Sequence, residues 1–493
     1  MNQSTHADVR VRFAPSPTGF LHVGGLRTAL YNYLFARHHG GSMILRIEDT
    51  DKSREVEGAV RHIIDDLLWA GIRYDEGLMQ DEEIIGDRRP YILSERIELY
   101  RQYAQQLIDA DHAYYCFCSE ERLEKVREQQ LARYGRSKYD QHCRKLTARE
   151  RKSRLEAGMP RVIRMKIPDT SDGEHTFWDA IRGEVSIPYE NLDDQIIMKS
   201  DGFPTYHLAS VVDDHLMEIT HVIRGEEWLP STPKHLLLYE YLDWDVPEFA
   251  HLPLLLNEDR SKLSKRQGDV MVKDYREKGY LPEALVNFVA LLGWHPGDER
   301  EIFSLEELIE EFDLHRIGKS GAVFNVEKLQ WMNGVYLRKY PMEKLMELSL
   351  PYLEKAGFET SDRDRMQLIL ETVRDNLRTL GDIFSAVEVF KARSVGDRIG
   401  ADPELQAMVD RDSSRQVFEA LSQRMAAEEG IAKRQFLSIM KEVQKATGVR
   451  GKNLWMPVRI ALTGEQHGPE LPAVVEILGN ETCLERLREQ LTA

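Results

Sequence analysis

Hydrophobic and polar positions in the first fifty residues follow a strand–loop–helix–strand order. Residues 9–14 alternate apolar and charged side chains, as in a strand, and two prolines and a glycine within 15–19 interrupt that pattern. Residues 24–39 place apolar side chains on one helical face before a Gly-Gly stop, and 42–48 are again strand-like. This order predicts the opening of a parallel α/β sheet with a nucleotide crevice at its carboxyl edge.

The rest of the chain divides into an interrupted α/β part and a helical part. An amphipathic helix is predicted at 55–71, and residues 110–195 look inserted because a cysteine cluster, a basic stretch and a short strand-rich tail break the α/β order. Strand and helix patterns resume at 195–255. From residue 280 onward the pattern is helical nearly everywhere, so we expect an all-α C-terminal half of two or three small units.

Composition indicates a globular protein with several domains. At 493 residues the chain is too long for one hydrophobic core, so about two to five domains are expected. It has 42% hydrophobic and 30% charged residues, no apolar run near the ~20 residues of a membrane span, and no signal or transit pattern. Four cysteines, three of them close together, do not suggest a disulfide framework, so we expect a cytoplasmic protein without a membrane partner.

The charge distribution leaves two interpretations open. A net charge of −17 argues mildly against a nucleic-acid partner when it is taken alone. Residues 144–166 reverse the sign locally, with nine basic side chains against two glutamates. This stretch is either a solvated helix face or a phosphate-contacting patch on a protein that binds a polyanion.

His22 lies in a glycine-containing segment that follows the first predicted strand. Unpaired N–H groups at a helix N-terminus favour phosphate, and Gly19, Gly24 and Gly25 let the backbone approach it closely. An imidazole there can donate to a phosphate oxygen as charge develops in a transition state. A His-x-Gly string alone is more often a turn, but the preceding strand and Pro-Ser-Pro-Thr-Gly favour a nucleotide site.

A second segment, Lys-Leu-Ser-Lys-Arg at 262–266, supplies two lysines three residues apart. Lys262 and Lys265, with Ser264 between them, can hold a nucleotide's phosphates while charge accumulates, which raises the rate and not only the affinity. The alternative interpretation is an ordinary exposed basic loop. Together with the His22 segment, this loop predicts activation of a carboxylic acid by ATP.

These two segments resemble the HIGH and KMSKS signatures of class I aminoacyl-tRNA synthetases. Their surroundings resemble the bacterial and organellar glutamyl-tRNA synthetases, over essentially the whole chain. The strings that carry this resemblance are RFAPSPTG at 12–19, LRIEDTD at 45–51, FPTYHLASVVDDH at 203–215, VIRGEEW at 222–228, SKLSKR at 261–266 and, more weakly, KNLWMPVR at 452–459.

The resemblance implies an α/β Rossmann-type catalytic domain with an inserted acceptor-binding domain, followed by an all-α anticodon-binding region. The implied boundaries are 1–109 and 195–255 for the two halves of the catalytic domain, 110–194 for the inserted acceptor-stem-binding domain, 256–336 for a stem-contact domain with the lysine loop, and 337–395 and 396–493 for two helical anticodon-binding subdomains.

The implied reaction has two steps and uses ATP with Mg²⁺. Glutamate and ATP give glutamyl-adenylate and diphosphate, and the terminal adenosine of tRNA-Glu then takes the glutamyl group and releases AMP. Members of this family usually need bound tRNA before they activate glutamate, and a monomer is expected.

The resemblance also implies how L-glutamate is bound. Its two carboxylates need two cations, which match Arg12 and Arg224, and its ammonium group needs one anion, which matches Glu48. We place Arg12 nearer the side-chain carboxylate. Because uncharged glutamine would leave an arginine charge unpaired, such a site can reject it without editing.

Further roles follow from the same resemblance, position by position. The other implied glutamate-binding residues are Ala14, Ser16, Tyr206 and Ser210. The implied catalytic residues are His22, Lys262 and Lys265, and the implied ATP-binding residues are Thr18, Gly19, His22, Gly24, Glu227, Lys262, Ser264 and Lys265. The implied tRNA-binding residues are Asp51, Arg54 and Ser200 at the acceptor end and Arg374 and Arg378 in the helical half; surface salt bridges are the alternative for them.

The sequence departs from the family pattern in three places. Gly25 replaces the second histidine of the signature, and Ser210 stands where asparagine is frequent. The third departure concerns the Cys-x-Cys…Cys-x-His zinc site of some members. Cys116, Cys118 and Cys143 match three ligands, but Lys145 occupies the histidine position, and His142 could substitute only with a rearranged turn. Either Zn²⁺ is bound here or the site has lapsed.

Several alternatives to a tRNA-Glu ligase stay open at this point. A non-discriminating enzyme would also glutamylate tRNA-Gln and would need an amidotransferase partner. A catalytically inactive RNA-binding relative is disfavoured by the intact motif residues. The helical C-terminal half argues against a truncated enzyme that modifies a tRNA base, against a glutaminyl-tRNA synthetase with β-barrel anticodon domains, and against a nucleotidyl transferase for a small metabolite.

Overall fold

The computed structural model describes residues 8–50, 54–168, 173–263, 270–391, 394–428 and 430–492. These residues form two compact units. The first unit comprises Met1–Tyr275 with Leu285–Asn325, and the second comprises Arg276–Ala284 with Val326–Ala493. Three residues predicted to act at the site, Asp51, Ser264 and Lys265, lie outside the described residues.

The first unit contains the described strands. They are β1 (Arg10–Phe13), β2 (Ser42–Leu45), β3 (Gly77–Leu78), β4 (Ile84–Ile85), β5 (Ala113–Cys116), β6 (Val162–Met165), β7 (Glu174–Asp179), β8 (Gly183–Pro188), β9 (Ile196–Met198), β10 (His221–Gly225), β11 (Glu248–Leu252), β12 (Leu255–Leu256) and β13 (Ala322–Val323).

The helices extend over both units in chain order. Those up to residue 311 are α1 (Val23–His38), α2 (Ala59–Trp69), α3 (Ile97–Asp109), α4 (Glu120–Tyr134), α5 (Ala148–Glu156), α6 (Tyr206–Leu216), α7 (Thr232–Tyr241), α8 (Val272–Glu277), α9 (Pro282–Ala290) and α10 (Leu305–Glu311). Those of the second unit after residue 325 are α11 (Val326–Lys339), α12 (Met342–Lys355), α13 (Arg363–Val373), α14 (Ile383–Ala386), α15 (Gly396–Gly400), α16 (Pro403–Val409), α17 (Asp412–Met425), α18 (Lys433–Thr447), α19 (Lys452–Thr463) and α20 (Leu471–Thr492).

The opening strand–loop–helix–strand order predicted from the sequence is confirmed. It is formed by β1, α1 and β2, and β1 pairs in parallel with β2. The helix predicted at 55–71 begins later, at Ala59, because Gly58 adopts a left-handed conformation with φ 76°. The strand patterns predicted to resume within 195–255 correspond to β9 and β10, and β11 is a further strand in that range.

A central sheet places the inserted hairpin beside the catalytic strands. β10 pairs in parallel with β11, β11 pairs in parallel with β7, and β7 pairs in antiparallel with β8. β1 runs next to β10, since the Thr220 amide donates to the Arg10 carbonyl at 2.9 Å. The β7–β8 hairpin belongs to the segment predicted as an insertion, so this insertion shares a sheet with the α/β part.

The core of the first unit is apolar but encloses ion pairs. Its buried cluster includes Ile44, Leu208, Val212, Val222 and Phe249, from strands and helices on both sides of the insertion. A smaller cluster inside the insertion packs three aromatic side chains against two cysteines. Burial of this apolar surface is the main stabilising contribution, at roughly 25 cal/mol per Å².

The second unit is helical in its described residues, as predicted for the C-terminal half. Its buried side chains form one cluster that includes Leu345, Ile369, Phe418, Val458 and Val474. Helix ends follow ordinary capping rules; Gly448 and Gly464, for example, end α18 and α19 in the left-handed conformation. The pattern predicted to be helical nearly everywhere after residue 280 is interrupted by the short strand β13, which pairs with β12 in the first unit, and by a β-bridge between Trp294 and Ile317.

None of the described helices combines the length and apolar character that are needed to cross a bilayer.

Candidate active site

A cavity of about 590 Å³ in the first unit lies at the carboxyl ends of β1 and β10 and at the start of α1. That volume is in the range of small-molecule sites. Most of the residues predicted for ATP and glutamate line this one cavity: Arg12, Ala14, Ser16, Thr18, Gly19, His22, Gly24, Glu48, Tyr206, Arg224, Glu227 and Lys262. The structure therefore brings together two predicted groups that are up to 250 residues apart in the sequence.

His22 is the N-cap residue of α1. Its backbone is extended, with φ −96° and ψ 160°, and its Nδ1 accepts a hydrogen bond from the Gly25 amide at 3.1 Å. In a neutral ring the proton is therefore on Nε2, which can donate to a ligand. A Cβ on Gly24 would lie only 3.0 Å from the His22 ring, so glycine at 24 leaves room for that ring position.

Lys262, from the second of the two predicted segments, also lines the cavity. It forms an antiparallel bridge with Leu256, and the following residue, Leu263, donates from its amide to the Leu255 carbonyl at 2.9 Å. The Lys262 side chain is exposed. An ammonium group on this hairpin can approach an anionic ligand held at the start of α1.

Arg12 is buried and already paired with a carboxylate. Its Nε donates to Asp214 Oδ1 at 3.0 Å, and its Nη2 donates to Oδ2 at 3.4 Å. Arg46 is fully buried and bridges Asp214 at 2.8 Å and Glu48 at 3.4 Å. Asp213 accepts from Arg96 at 2.7 Å. The charge of Arg12 is thus shared with this network before any substrate arrives.

The sequence reasoning did not assign Arg46, Asp213 or Asp214 to the site. The sequence did contain a signal, because two consecutive aspartates follow an apolar run. In the structure both aspartates are buried on α6. Buried carboxylates are rare unless they are paired. Ser210, predicted to contact glutamate, is buried on the same helix, and its hydroxyl donates to Asp214 Oδ2 at 3.5 Å.

Glu48 has an unusual protonation equilibrium. Burial raises the pKa of its carboxyl to about 7, since the charged form loses hydration. The cations Arg46 and Arg12 oppose this rise, and the carboxylates of Asp214 and Asp213 add to it. Near neutral pH, Glu48 can therefore change between an acid and a carboxylate.

Arg224 at the end of β10 is 4% exposed and is surrounded by neutral acceptors. Its guanidinium donates to His251 at 3.0 Å, to His235 at 3.1 Å, to the Tyr206 hydroxyl at 3.3 Å and to Thr232 at 3.1 Å. The Tyr206 ring also packs against Trp228, with 4.0 Å between ring centroids. Glu227 lies beside this aromatic pair in the cavity lining.

Three cysteines of the insertion are close enough to hold a metal ion. The sulfur atoms of Cys116, Cys118 and Cys143 all lie within 4.8 Å of one another. A fourth group is present that the sequence reasoning missed. The Tyr139 hydroxyl lies 3.3 Å from Cys116 Sγ and 3.5 Å from Cys118 Sγ. His142 is exposed and does not join this group.

The predicted tRNA-binding residues that the structure describes are not among the residues that line the cavity. Arg54 and Ser200 are exposed in the first unit. Arg374 and Arg378 belong to the second unit, where the Arg374 guanidinium donates to the Tyr340 carbonyl at 2.8 Å and Arg378 is exposed. Their roles stay predictions.

Comparison with known proteins identifies the family. The model for the catalytic domain of class I tRNA synthetases (E and Q) matches residues 8–331, and a model for an anticodon binding domain matches residues 344–491. A glutamate–tRNA ligase of Alkaliphilus metalliredigens is 48% identical over 488 residues, which cover 97% of this chain and 98% of that protein. The chain belongs to the glutamate–tRNA ligases of class I.

Other members of this ligase family agree over the full length. The glutamate–tRNA ligase of Clostridioides difficile is 46% identical and covers 97% of this chain and 98% of its own length. A crystal structure of a glutamate tRNA ligase from Elizabethkingia meningosepticum in complex with its amino acid has a TM-score of 0.89 at 38% identity, with 99% and 100% of the two chains covered. The resemblance and the fold class predicted from the sequence are thereby confirmed, whereas the individual site residues stay predictions.

Proposed function

We propose that this ligase activates L-glutamate with ATP in the cavity at the start of α1 and transfers it to the 3′ end of tRNA-Glu. The observation that carries the proposal is the convergence of His22, Lys262, Glu48 and Arg224 on one cavity. Full-length relatives that are glutamate–tRNA ligases support the reaction class.

The nucleotide half of the cavity suits an ATP phosphate group. At the N-terminus of α1 the Val23 and Gly25 amides are bonded to the Val270 carbonyl and to His22 Nδ1, so among the described residues the Gly24 N–H is left for a ligand, and His22 Nε2 adds a side-chain donor. Lys262 supplies a positive charge from the facing hairpin. Donors arranged in this way stabilise the charge that develops on the phosphate oxygens when the glutamate carboxylate attacks the α-phosphorus and diphosphate leaves. ATP would enter with Mg²⁺, which usually binds through the substrate's phosphates.

The amino-acid half of the cavity suits a dicarboxylate with an ammonium group. We assign Arg224 to a glutamate carboxylate, because its guanidinium has only neutral partners among the described residues. Arg12 contributes a second positive charge, shared with Asp214. Glu48 is assigned to the ammonium group, which stabilises its ionised form. Glutamine would lack the negative charge that this arrangement attracts.

We further propose that the cysteine group holds a structural Zn²⁺, with Tyr139 as the fourth ligand in place of Lys145. A tetrahedral ion with Zn–S bonds near 2.3 Å puts its sulfur ligands about 3.8 Å apart. Cys118 Sγ and Cys143 Sγ are 3.5 Å apart, and the Tyr139 hydroxyl is at a comparable distance from two of the sulfurs. Such an ion would fasten β5 to residues 139–143.

Specificity for tRNA-Glu, without tRNA-Gln, is part of this proposal, as is a cytoplasmic location, where tRNA and ATP are available. A non-discriminating enzyme is the second candidate, and only that candidate requires an amidotransferase. The residues Arg54, Ser200, Arg374 and Arg378 are proposed tRNA contacts.

The experiment that tests activation is amino-acid-dependent exchange of labelled diphosphate into ATP, with tRNA-Glu present. We expect exchange with glutamate and at least about 10⁴-fold less with glutamine. His22→Asn is the variant expected to lose exchange. Its asparagine can keep the N-cap bond to Gly25, and so the helix start, but lacks the second ring nitrogen. Equal exchange with glutamine, or undiminished exchange in His22→Asn, would contradict the proposal.

A further inference from the structure

Arg224 differs from Arg12, Arg46 and Arg96, three other buried arginines of the first unit, in the chemistry of its partners. Arg12 and Arg46 are paired with Asp214, and Arg96 is paired with Asp213. Arg224, in contrast, forms no ion pair with a carboxylate of the described part of the chain. Its partners are two imidazoles and two hydroxyls, all neutral, at 3.0–3.3 Å. Its charge is therefore fixed in place without being neutralised.

The proton positions in this arrangement follow from the fact that arginine can only donate. His251 Nε2 accepts from Arg224 Nε at 3.0 Å, so the neutral His251 ring carries its proton on Nδ1. That Nδ1 donates to Asp179 Oδ2 at 2.6 Å, and both residues are fully buried. Burial lowers the pKa of His251 to about 4, which keeps the ring neutral at pH 7.

Asp179 is itself held rigidly. Its Oδ1 accepts from the amides of Ile181 at 3.0 Å and Arg182 at 2.9 Å, in the turn between β7 and β8. Its Oδ2 also accepts from the His251 amide at 3.1 Å. Burial alone would raise the pKa of Asp179, but the hydrogen bonds from His251 and the turn amides outweigh it and lower that pKa. The carboxylate thus accepts on both oxygens.

A second imidazole pair supports the other side of the guanidinium. His235 Nδ1 accepts from Arg224 Nη1 at 3.1 Å, so its proton is on Nε2, which donates to His207 Nδ1 at 3.0 Å. Burial lowers the pKa of His207 to about 4 and that of His235 well below its usual value. Four of the five N–H bonds of Arg224 are then directed to protein acceptors, and one on Nη2 is left for a ligand.

We propose that Asp179 and His251 are positioning residues for glutamate. Asp179 fixes the His251 tautomer that accepts from Arg224, and His251 thereby orients the Arg224 guanidinium, which is not paired with a carboxylate of the described residues, toward a substrate carboxylate. This inference rests on the proposed function, because it needs Arg224 to bind glutamate. A carboxylate in place of His251 would hold the guanidinium equally well but would compete with the substrate for its charge. The inserted segment therefore contributes to the amino-acid pocket through Asp179.

The test compares substitutions that keep or remove the acceptor for Arg224 Nε. His251→Gln offers an amide oxygen to Arg224 and an amide N–H to Asp179, whereas His251→Phe offers neither. Asp179→Asn has one acceptor oxygen. If that oxygen still accepts from the amides of the turn, the new NH₂ group faces His251 Nδ1 and favours the other tautomer of the ring. The ring N–H on Nε2 then faces Arg224, and His251 can no longer accept from the guanidinium. Thr176→Ala, on the exposed face of β7, is the matched control.

The measurement is steady-state diphosphate exchange with saturating tRNA-Glu, with glutamate and ATP varied in turn. We expect His251→Phe and Asp179→Asn to raise the KM for glutamate about tenfold or more, because one hydrogen bond to a buried charge is lost. The KM for ATP should change less than about twofold, and His251→Gln and Thr176→Ala should stay within about threefold of the parent. Thermal denaturation checks that each variant is folded.

The possible outcomes distinguish a failure of the proposed function from a failure of the positioning role. No exchange by the parent chain refutes the proposed function itself. An active parent whose folded His251→Phe variant keeps its KM for glutamate refutes only the positioning role. Equal impairment of His251→Gln and His251→Phe, or a parallel rise in both KM values, would also overturn it, since a purely structural defect produces that result. If Asp179→Asn does not fold, the His251 pair alone decides.

Discussion

If Glu48 binds the ammonium group of glutamate as proposed, the raised pKa of its carboxyl should make glutamate binding depend on pH. Only the ionised carboxylate pairs with the substrate's ammonium group, yet burial places the pKa of the free site at about 7. At pH 6 about one tenth of the sites are ionised, and at pH 8 about nine tenths. The apparent Kd for glutamate should therefore be about tenfold higher at pH 6, which is about 1.4 kcal/mol of binding free energy.

Isothermal titration calorimetry with glutamate at pH 6 and pH 8 measures this difference. Repeating the pH 6 titration in buffers of different ionisation enthalpy should show the release of nearly one proton for each glutamate bound. Glu48→Gln is the matched control, because its amide cannot ionise; its weaker binding should be nearly independent of pH. A parent Kd that is equal at the two pH values, or the same pH dependence in Glu48→Gln, would refute the reasoning.

The same group gives a stability signature of opposite sign to that of a typical carboxylate. Because the folded state holds the proton more tightly than the unfolded state, stability falls as the pH rises from about 4.5 through 7. Above pH 7 the penalty is about 3 kcal/mol, at about 1.4 kcal/mol for each pH unit between the two pKa values. In the absence of ligand, Glu48→Gln should therefore be the more stable protein at pH 8 and similar to the parent at pH 4.5, as measured by thermal denaturation.

Three further predictions concern the remaining site residues. His22→Ala should lower the single-turnover rate of adenylate formation by about 10²–10³-fold, because a transition-state donor is lost. It should also lower the free energy of unfolding by about 1 kcal/mol, because the helix cap is removed; an unchanged rate would exclude His22 from the chemistry. Arg12→Gln should lower the free energy of unfolding, measured in denaturant, by about 3 kcal/mol, since Asp214 loses one buried partner. The same change should reduce the ratio of kcat/KM for glutamate to kcat/KM for glutamine; an unchanged ratio would remove Arg12 from the pocket. Tyr139→Phe should reduce the zinc content measured by mass spectrometry after dialysis, whereas His142→Ala should not; the reverse result would contradict the ligand assignment.

Local patterns in the sequence predicted the elements of the catalytic half well. The strand before His22, the glycines after it and the apolar face of α1 are consecutive in the chain, so periodicity and turn chemistry suffice to identify them. The start of α2 was misplaced by four residues because a turn at 57–58, in which Gly58 adopts a left-handed conformation, precedes the helix. Such boundaries depend on single backbone conformations that a hydrophobic pattern does not specify.

The buried polar partners could not be predicted in the same way. Arg12 and Asp214 are 202 residues apart, and Asp179 reaches His251 only because β7 and β11 are adjacent in the sheet. The sequence indicates that such residues are polar, but the pairing depends on strand order. The position of Tyr139 beside the cysteines could not be predicted for another reason, because the family's zinc spacing specifies a histidine near position 145 and gives no indication of a phenol oxygen.

Charging of purified tRNA-Glu and tRNA-Gln transcripts with labelled glutamate, ATP and magnesium is the decisive assay of the proposed reaction. We predict ATP-dependent glutamylation of tRNA-Glu, its loss in His22→Asn, and no glutamylation of tRNA-Gln. Charging of both transcripts would keep the ligase activity but replace the discriminating enzyme by the non-discriminating one, which needs an amidotransferase. Charging of neither transcript, by folded protein with tRNAs that a known ligase accepts, would contradict the account.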